Sequence, residues 1–389
     1  MDLFDKCKHE LVDTAIAAGI YPYFHELESR QGPEVVMEGK RRIMLGSNNY
    51  LGLTSHPRVI EAGVRAIEKY GSGCSGSRFL NGTLDLHVQL ERELAEFIGK
   101  EDCMTFSTGF QSNLGIISAI AGRGDYIFCD KENHASIYDG CKLSWAKTIR
   151  YTHSDMAHLE TCLQSVPLES GKLIVTDGVF SMGGDIAKLP EICDLAKKYN
   201  ARVMVDDAHG LGVLGNGGRG TADYFGLTDR VDIIMGTFSK SLASLGGYMV
   251  ADHRVVHYVR HTSRPFIFCA SITPANAATT IEALHILREH PEMVTHLAEL
   301  AAHMRKGLHE RGIKIIDSPT PIIPIYTYDE IRTFRKAKEL YDAGVYVNPV
   351  LPPATPPGES LLRTSYMATL TTELLDEALD IIEKVLKSE

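Results

Sequence analysis

The sequence lacks three features that would assign it to a specialised class of protein. It has no run of about 18 apolar residues, so we expect no segment to span a membrane. It has no excess of basic residues, because 40 Lys and Arg stand against 50 Asp and Glu, for a formal net charge of −10. Proteins that bind nucleic acid neutralise phosphates with Lys and Arg. Nucleic acid is therefore not an expected partner, whereas a peripheral membrane contact stays open.

The sequence also lacks the cysteine patterns of zinc sites and redox motifs. Its eight cysteines form no Cys-x-x-Cys pair and no His–Cys cluster with zinc spacing. Several lie in apolar runs, among them Cys103, Cys129 and Cys269, which favours buried and reduced thiols. The first residues have no signal-peptide apolar stretch. We therefore predict a cytoplasmic protein without a metal site, with a possible peripheral contact at the inner face of the membrane.

What the sequence does contain is an alternation of short apolar strands and helices. Continuous apolar strands separated by helices predict an α/β fold with a mainly parallel sheet that is covered on both faces. The predicted strands are 103–106, 126–129, 173–176, 202–206 and 232–235, and the helices between them include 59–70, 110–121 and 190–198.

The pattern changes after Pro274. Helices dominate as far as residue 312. Beyond it, the sequence predicts two strands, at 313–316 and 321–326, and two helices, at 329–342 and 372–386. This pattern predicts a second, smaller α+β unit. We place an N-terminal arm at 1–45, a large domain at 46–280 and a small C-terminal domain at 281–389.

Polar residues follow several of the predicted strands, whose carboxyl ends form the usual ligand-binding edge of an open parallel sheet. Gly109 and Phe110 open a helix directly after one strand, which suits either an anion at the helix N-terminus or an ordinary strand–helix turn. His134 follows the next strand, and a lone histidine is more often structural than functional. Neither feature identifies a site by itself.

Two further strand ends carry charged groups. Asp206 and Asp207 end an apolar strand, and strand alternation sends their side chains to opposite faces, so one can face a ligand while the other ties down a loop. With His209, the same pair could instead hold a metal. Lys240 lies among hydroxyl-bearing residues. Desolvation lowers a lysine pKa and makes the amine a nucleophile that traps carbonyls, although an isolated lysine is usually a solvated surface group.

These strand ends become specific in combination. A helix-end cradle for a phosphate, an acid for a ring nitrogen, a flat group for a ring face and a lysine for an aldehyde are the parts that bind pyridoxal phosphate. The sequence therefore predicts pyridoxal 5'-phosphate as the cofactor.

The sequence also resembles the α-oxoamine synthases, fold-type I pyridoxal-phosphate enzymes that condense an amino acid with an acyl-CoA and release carbon dioxide. The stretches that carry the resemblance are 47–53, 76–83, 180–185, 205–210 and 236–240. Within the family, segment 236–244 and the proline-rich stretch 352–356 are similar to the bacterial serine palmitoyltransferase branch. The resemblance implies a large domain with a mainly parallel seven-stranded sheet, a smaller C-terminal α+β domain, and a homodimer with active sites at the subunit interface.

The resemblance assigns roles to residues at the strand ends. Lys240 carries the cofactor as a Schiff base and moves the α-proton, and Asp206 pairs with the ring nitrogen. His134 stacks on the ring and approaches the substrate carboxylate. The remaining assignments are Gly109, Phe110, Thr237 and Ser239 for the phosphate, His209 and Ser181 for the ring hydroxyl, Arg363 for the substrate carboxylate, Asn48 near the site, and 271–273 as a candidate phosphate contact from the other subunit.

The implied reaction joins L-serine to a long-chain acyl-CoA such as palmitoyl-CoA and gives 3-ketodihydrosphingosine, carbon dioxide and CoA, the first step of sphingolipid biosynthesis. The nearest alternatives are the sister activities 8-amino-7-oxononanoate synthase and 2-amino-3-ketobutyrate CoA ligase, which use alanine or glycine. A pyridoxal-phosphate aminotransferase or lyase, and a catalytically silent subunit, are more distant alternatives. Arg78 receives no role, and Asp207 is expected to be structural.

Overall fold

The structure is a computed structural model that describes residues 2–388, and within it the chain divides into two compact units. One unit runs up to Ser47, takes in Met182–Gly184 and resumes at Glu299. The other comprises Asn48–Ser181 and Asp185–Ala298. Within residues 2–388, no helix combines the length and the apolar character needed to cross a bilayer.

Strands and helices alternate along most of the chain. The strands are β1 (Glu34–Met37), β2 (Lys40–Met44), β3 (Asp102–Phe106), β4 (Tyr126–Asp130), β5 (Lys147–Tyr151), β6 (Lys172–Asp177), β7 (Arg202–Asp206), β8 (Ile233–Thr237), β9 (Gly247–Ala251), β10 (Ile322–Tyr328), β11 (Val345–Tyr346), β12 (Asn348–Val350) and β13 (Ser360–Ser365). The helices are α1 (Glu10–Ala17), α2 (Pro57–Tyr70), α3 (Asp85–Ile98), α4 (Gly109–Ile120), α5 (Ala135–Leu143), α6 (Met156–Gln164), α7 (Leu189–Lys198), α8 (Thr221–Tyr224), α9 (His253–Thr262), α10 (Arg264–Ile267), α11 (Pro274–Glu289), α12 (Glu292–Glu310), α13 (Glu330–Ala343) and α14 (Thr372–Lys387).

The larger unit is built on a seven-stranded sheet in the order β3-β9-β8-β7-β6-β4-β5. Its neighbours pair in parallel except where β9 pairs antiparallel with both β3 and β8. The predicted mainly parallel seven-stranded sheet is therefore confirmed. The apolar pattern did not identify β5 or β9. β5 lies at the sheet edge and is only partly buried, so its sequence mixes Lys147 and Arg150 with apolar residues instead of forming a continuous apolar run.

Helices cover both faces of this sheet, and strand alternation divides the core between the two faces. On β6, Leu173 and Val175 pack into one cluster with Ile117 of α4, whereas Ile174 packs into the opposite cluster with Leu94 of α3. The same alternation decides which way each residue points where a strand ends.

The smaller unit contains two three-stranded sheets, β1-β2-β11 and β10-β13-β12. The strand predicted at 313–316 is wrong, since this segment makes only an isolated bridge between Ile315 and Ile325. The backbone N–H of Ile316 donates to the carbonyl of Pro324, but Pro324 has no N–H with which to return a bond. A regular ladder therefore cannot form along this edge of β10.

A half-buried histidine joins three segments of the larger unit. His153 Nδ1 lies 2.9 Å from Asp130 Oδ1, and His153 Nε2 lies 2.9 Å from Asp185 Oδ2. Burial opposes a charge on this ring, but the hydrogen bonds with Asp130 and Asp185 outweigh burial and raise the pKa of His153 to about 10. The imidazolium therefore persists at neutral pH and donates from both ring nitrogens.

We expect His153→Gln to lower the free energy of unfolding by about 1–3 kcal/mol at pH 6, because it leaves two carboxylates without their cation. The folded-state pKa lies above the value near 6.5 of an unfolded histidine. The stabilisation is therefore complete below about pH 6.5 and is lost as the pH rises towards 10. Urea unfolding of both proteins at pH 6 and pH 9.5 measures the difference.

His253→Gln is the matched control, since His253 pairs with Asp102 at 2.9 Å on the exposed surface, where an ion pair contributes little. A difference between wild type and His153→Gln that is equally large at both pH values would contradict the charged state of His153.

Candidate active site

The carboxyl ends of β4, β6, β7 and β8 surround one cavity of about 220 Å³ in the larger unit. The helix starts of α4 and α5 complete its wall. The residues predicted from the sequence that line this cavity are Gly109, Phe110, His134, Ser181, Asp206, His209, Thr237, Ser239 and Lys240.

Asp206 is the last residue of β7, and its carboxylate is almost completely buried at the cavity wall. Asp206 Oδ2 accepts a hydrogen bond from Asn113 Nδ2 at 2.6 Å, and Asp206 Oδ1 accepts one from the backbone N–H of Ala208 at 3.0 Å. Each carboxylate oxygen thus has a fixed donor. A negative group held in this way suits a protonated ring nitrogen.

Asp207 lies on the opposite side of the strand and has a structural role. Asp207 Oδ1 accepts from the Thr221 hydroxyl at 2.6 Å, and Asp207 Oδ2 accepts from the Thr221 N–H at 2.7 Å. Burial raises the pKa of Asp207 to about 6, although both bonds from Thr221 oppose the shift. A Cβ atom on Gly210 would lie 1.9 Å from Asp207 Oδ1, so only glycine fits there.

The two carboxylates therefore do not converge on one ion. Across residues 2–388, no group of three or more His, Cys, Asp or Glu side chains has the arrangement of a metal site.

Lys240 is half-buried at the cavity wall, three residues after the end of β8. The turn that carries it is anchored by Phe238, which is fully buried and stacks on Tyr248 with ring centroids 5.8 Å apart. The Thr237 hydroxyl donates to the carbonyl of Gly246 at 2.9 Å, and its oxygen lies 2.9 Å from the Ser239 hydroxyl. The amine and two hydroxyls thus share one cavity wall.

The start of α4 forms a cradle beside these hydroxyls. Thr108 caps the helix, because its hydroxyl oxygen accepts from the Gln111 N–H at 3.1 Å. The first N–H groups of a helix have no acceptor within it, and they favour a bound anion. A Cβ atom at Gly109 would lie 2.8 Å from Thr237 Cβ, so glycine is required for the helix start to approach Thr237 this closely.

His134 caps α5 and points its ring at the same cavity. Its backbone N–H donates to Asp177 Oδ2 at 3.1 Å, and its Nδ1 lies 2.7 Å from Ser136 Oγ. Burial lowers the pKa of His134; the negative charge of Asp206 partly offsets this effect, and the positive charge of Lys240 adds to it. The imidazole is therefore neutral at physiological pH.

His209 is oriented by a buried tyrosine. Its Nδ1 lies 2.6 Å from Tyr50 Oη, and the two rings meet edge to face with centroids 5.9 Å apart. The Tyr50 hydroxyl also lies 3.5 Å from Asn48 Oδ1. Asn48 is not among the residues, of those described, that line the cavity, and its contact with Tyr50 links it to His209.

Arg363 belongs to the smaller unit, where it lies on β13 and is 4% exposed. Its Nη1 donates to Ser365 Oγ at 3.4 Å. Its role towards a substrate carboxylate stays a prediction.

Three other features named from the sequence have internal contacts. Arg78 pairs with Glu91 at 2.6 Å in a buried ion pair. Ser271 Oγ donates to the carbonyl of Gly82 at 2.7 Å, and Thr273 caps α11. Cys269, expected to be buried, is only half-buried and accepts from Gln111 Nε2.

Sequence reasoning missed four residues of the site: Tyr50, Asn113, Ser136 and Asp177. Asp177 ends β6 directly beside Asp206 of β7, so the rule that singled out Asp206 also applied to it. Burial, reinforced by the negative charge of Asp206, raises the pKa of Asp177 well above its usual range.

Comparison with known proteins identifies related chains of almost the same length. The family model described as aminotransferase class I and II matches residues 40–382. The serine palmitoyltransferase of Bacteroides thetaiotaomicron is 53% identical over 98% of this chain and 97% of its own length. That of Sphingobacterium spiritivorum is 51% identical over 99% and 97%. The 8-amino-7-oxononanoate synthase of Thermoanaerobacter pseudethanolicus is 44% identical over 95% and 93%.

Solved structures give the same ordering. A structure of serine palmitoyltransferase with its PLP internal aldimine superposes with a TM-score of 0.96 at 38% identity, over 99% of this chain and 98% of that one. The Sphingomonas wittichii serine palmitoyltransferase gives 0.96 at 39% identity, with the same coverage. The 8-amino-7-oxononanoate synthase of Francisella tularensis gives 0.76 at 27% identity, over 89% and 98%. The predicted fold-type I architecture is confirmed, and the chain belongs to the aminotransferase class I and II family and, within it, to the serine palmitoyltransferase group.

Proposed function

We propose that this chain is a pyridoxal-phosphate-dependent acyltransferase that condenses L-serine with a long-chain acyl-CoA, typified by palmitoyl-CoA. The products are 3-ketodihydrosphingosine, carbon dioxide and free CoA, so the reaction opens sphingolipid biosynthesis. The observation that carries the proposal is the single cavity in which Lys240, Asp206, His134 and the Gly109 cradle meet. The 53% identity to a serine palmitoyltransferase over 98% of the chain supports the choice of substrates.

The cavity fits pyridoxal phosphate on the chemistry of its donors. The helix start at Gly109 and Phe110, with the hydroxyls of Thr237 and Ser239, would hold the phosphate. The close approach of Gly109 to Thr237 leaves this cradle open to an anion, whereas a Cβ atom would fill it. When bound, pyridoxal phosphate supplies an electron sink that stabilises negative charge on the α-carbon of the amino acid.

We assign to Lys240 both the bond to the cofactor aldehyde and the transfer of the α-proton at its Nζ. Lys240 is half-buried and lines the same cavity as the Thr237 and Ser239 hydroxyls, so its amine is placed to reach an aldehyde bound there. Asp206 would keep the facing ring nitrogen protonated, because its two oxygens are already fixed by Asn113 and Ala208.

His134 and Arg363 would act on the substrate. The neutral ring of His134 offers a flat face and a nitrogen that can bond to the serine carboxylate. Arg363 has the planar guanidinium that binds carboxylates through two parallel bonds, and we assign it the same carboxylate. His209 and Ser181 would contact the ring hydroxyl, and Asn48 would support His209 through Tyr50.

We further propose a homodimer with the active site at the subunit interface. Segments 76–82, 107–111 and 268–271 are joined by hydrogen bonds, as between Ser107 and Ala270 and between Ser271 and Gly82. These segments expose four large apolar side chains, Phe79, Leu80, Phe110 and Phe268, and Phe110 also lines the cavity. Exposed apolar groups that cluster in this way mark an interaction surface.

The cytoplasmic location, with a peripheral contact at the inner face of the membrane, stays a prediction from the sequence.

Light scattering during size exclusion tests the dimer. We expect the purified holoenzyme to elute with about twice the mass of the chain, and Phe268→Glu to shift it towards the monomer by placing a charge in an apolar interface. Trp145→Glu is the control, since Trp145 is equally exposed but lies far along the chain from these segments. A monomeric wild type with full activity would exclude the shared site.

The substrate assignment is tested by CoA release from palmitoyl-CoA, and from a short acyl-CoA, with serine, alanine or glycine as the amino acid. We expect serine with palmitoyl-CoA to be the most efficient pair by kcat/KM. Preference for alanine or glycine would instead support one of the sister activities. Product formed without any acyl-CoA would point to an aminotransferase or lyase.

Lys240→Ala should lose measurable turnover, because a positioned general base alone contributes about 10²–10⁴-fold and Lys240 also binds the cofactor. Borohydride should fix the cofactor to Lys240 of the wild type, as read by peptide mass, and to no residue of the variant. Lys100→Ala is the control, since Lys100 donates to the carbonyl of Val231 and does not line the cavity. Steady-state product from Lys240→Ala would refute the assignment, and a colourless wild type would favour a silent subunit.

A further inference from the structure

A chain of hydrogen bonds joins the two residues expected to contact the cofactor ring, Asp206 and His134. Asn113 Nδ2 lies 2.6 Å from Asp206 Oδ2 and 2.8 Å from Ser136 Oγ. Ser136 Oγ in turn lies 2.7 Å from His134 Nδ1. In the function proposed above, Asn113 only holds one oxygen of Asp206, and Ser136 has no role.

The chemistry of the groups fixes which atom donates and which accepts in each of these hydrogen bonds. A carboxylate only accepts hydrogen bonds, so Asn113 must present its NH₂ group, whose two hydrogens go to Asp206 and Ser136. Ser136 Oγ accepts from Asn113 and has one hydrogen left, which it donates to His134 Nδ1. The backbone N–H of Ser136 also donates to His134 Nδ1, at 3.3 Å. His134 Nδ1 is therefore an acceptor, and the ring proton lies on Nε2.

Burial strengthens the hydrogen bonds of Asn113 and Ser136. Asn113 is 0% exposed and Ser136 is 1% exposed, so water does not compete for their hydrogens. The bond to Asp206 is charge-assisted, which makes it shorter and stronger than a neutral bond. Asn113 Oδ1 has no hydrogen-bond partner within the part of the chain that the structure describes. The amide is thus held by its donors towards Asp206 and Ser136 although its acceptor is unsatisfied.

The fold explains why these residues meet. Met204 of β7 packs with Ile117 of α4 and Ile137 of α5, and alternation puts Asp206 on the same side of the strand as Met204. Asn113 lies one turn after the start of α4, on its buried side. An apolar residue would satisfy packing at a fully buried helix position, so packing does not account for an amide here.

The ionisation of His134 agrees with this assignment of donors and acceptors. The charged groups near its ring are Asp206 and Lys240, and Asp177 accepts its backbone N–H. Burial lowers the pKa of His134 despite the attraction of Asp206, so the ring is neutral and Nδ1 has a lone pair to accept with.

We propose that Asn113 is a positioning residue of the active site, which together with Ser136 joins Asp206 and His134 into one hydrogen-bonded unit. The inference rests on the proposed function, since it concerns the residues that would contact the cofactor ring and the serine carboxylate. Asn113 fixes the carboxylate that faces the ring nitrogen. Ser136 fixes the His134 tautomer that leaves an N–H at Nε2 for the serine carboxylate.

The test uses holoenzyme variants that remove different hydrogen bonds from the series between Asp206 and His134. Asn113→Leu keeps a similar volume but removes both donors, whereas Ser136→Ala removes only the link to His134. Asp207→Asn is the control, since it perturbs a buried carboxylate next to Asp206 on the other side of the strand. The readouts are the affinity for pyridoxal phosphate, the pH dependence of its visible absorption, the spectral dissociation constant for serine, and the melting temperature of the apoprotein.

For Asn113→Leu we expect the affinity for pyridoxal phosphate to fall by about tenfold or more. The pH dependence of the cofactor absorption should shift, and serine should bind more weakly. For Ser136→Ala we expect cofactor affinity within about threefold of wild type but about tenfold weaker serine binding. Asp207→Asn should lower the melting temperature and leave both dissociation constants unchanged.

The inference is overturned if Asn113→Leu behaves like the control, with a lower melting temperature but unchanged absorption and affinities. Asn113→Asp has nearly the size of asparagine and faces Asp206 with a second carboxylate, so it gives the same test if Asn113→Leu does not fold. A wild type that binds no pyridoxal phosphate would overturn the proposed function itself, whereas a normal wild type with control-like variants would overturn only the role of Asn113.

Discussion

The burial of the Asp206 carboxylate, directly before a second buried carboxylate at the end of β7, is the constraint on which the rest of the site depends. Burying a charge is costly unless donors surround it, and strand alternation presents the two groups to different sides. Asn113 and the N–H of Ala208 satisfy Asp206, while Thr221 satisfies Asp207 twice. The end of β7 therefore places one carboxylate, Asp206, at the cavity wall, while the next, Asp207, ties a loop to Thr221 on the opposite side.

Much of this arrangement could be predicted from the sequence, because the key residues follow apolar strands. Asp206, His134 and Lys240 stand out as polar residues where a buried strand ends, and the structure brings their side chains to one cavity. The edge strand β5 was missed because a half-exposed strand has no continuous apolar run. The strand expected at 313–316 failed because Pro324 interrupts the pairing that would complete it.

The residues that connect the site were harder to find. Asn113 lies on a helix face that periodicity assigns to the apolar core, where a polar residue interrupts the pattern without explanation. Only its contact with Asp206, which the structure shows, gives the reason for an amide there. Asp177 is also an acidic residue at the end of an apolar strand, but it was not recognised because the apolar residues before it look like those of any buried strand. Burial raises the pKa of Asp177 and lowers the pKa of His134, so in both side chains it works against the charged form.

The short amide that spans Asp206 and Ser136 restricts which amino acid can occupy position 113. Serine and threonine carry a single hydrogen to share, aspartate carries none when ionised, and glutamine places its amide one methylene farther from the helix axis. Asparagine is thus the side chain whose reach and hydrogen count both match. Position 113 is fully buried, yet hydrogen bonding and not apolar packing restricts the side chain that it can hold.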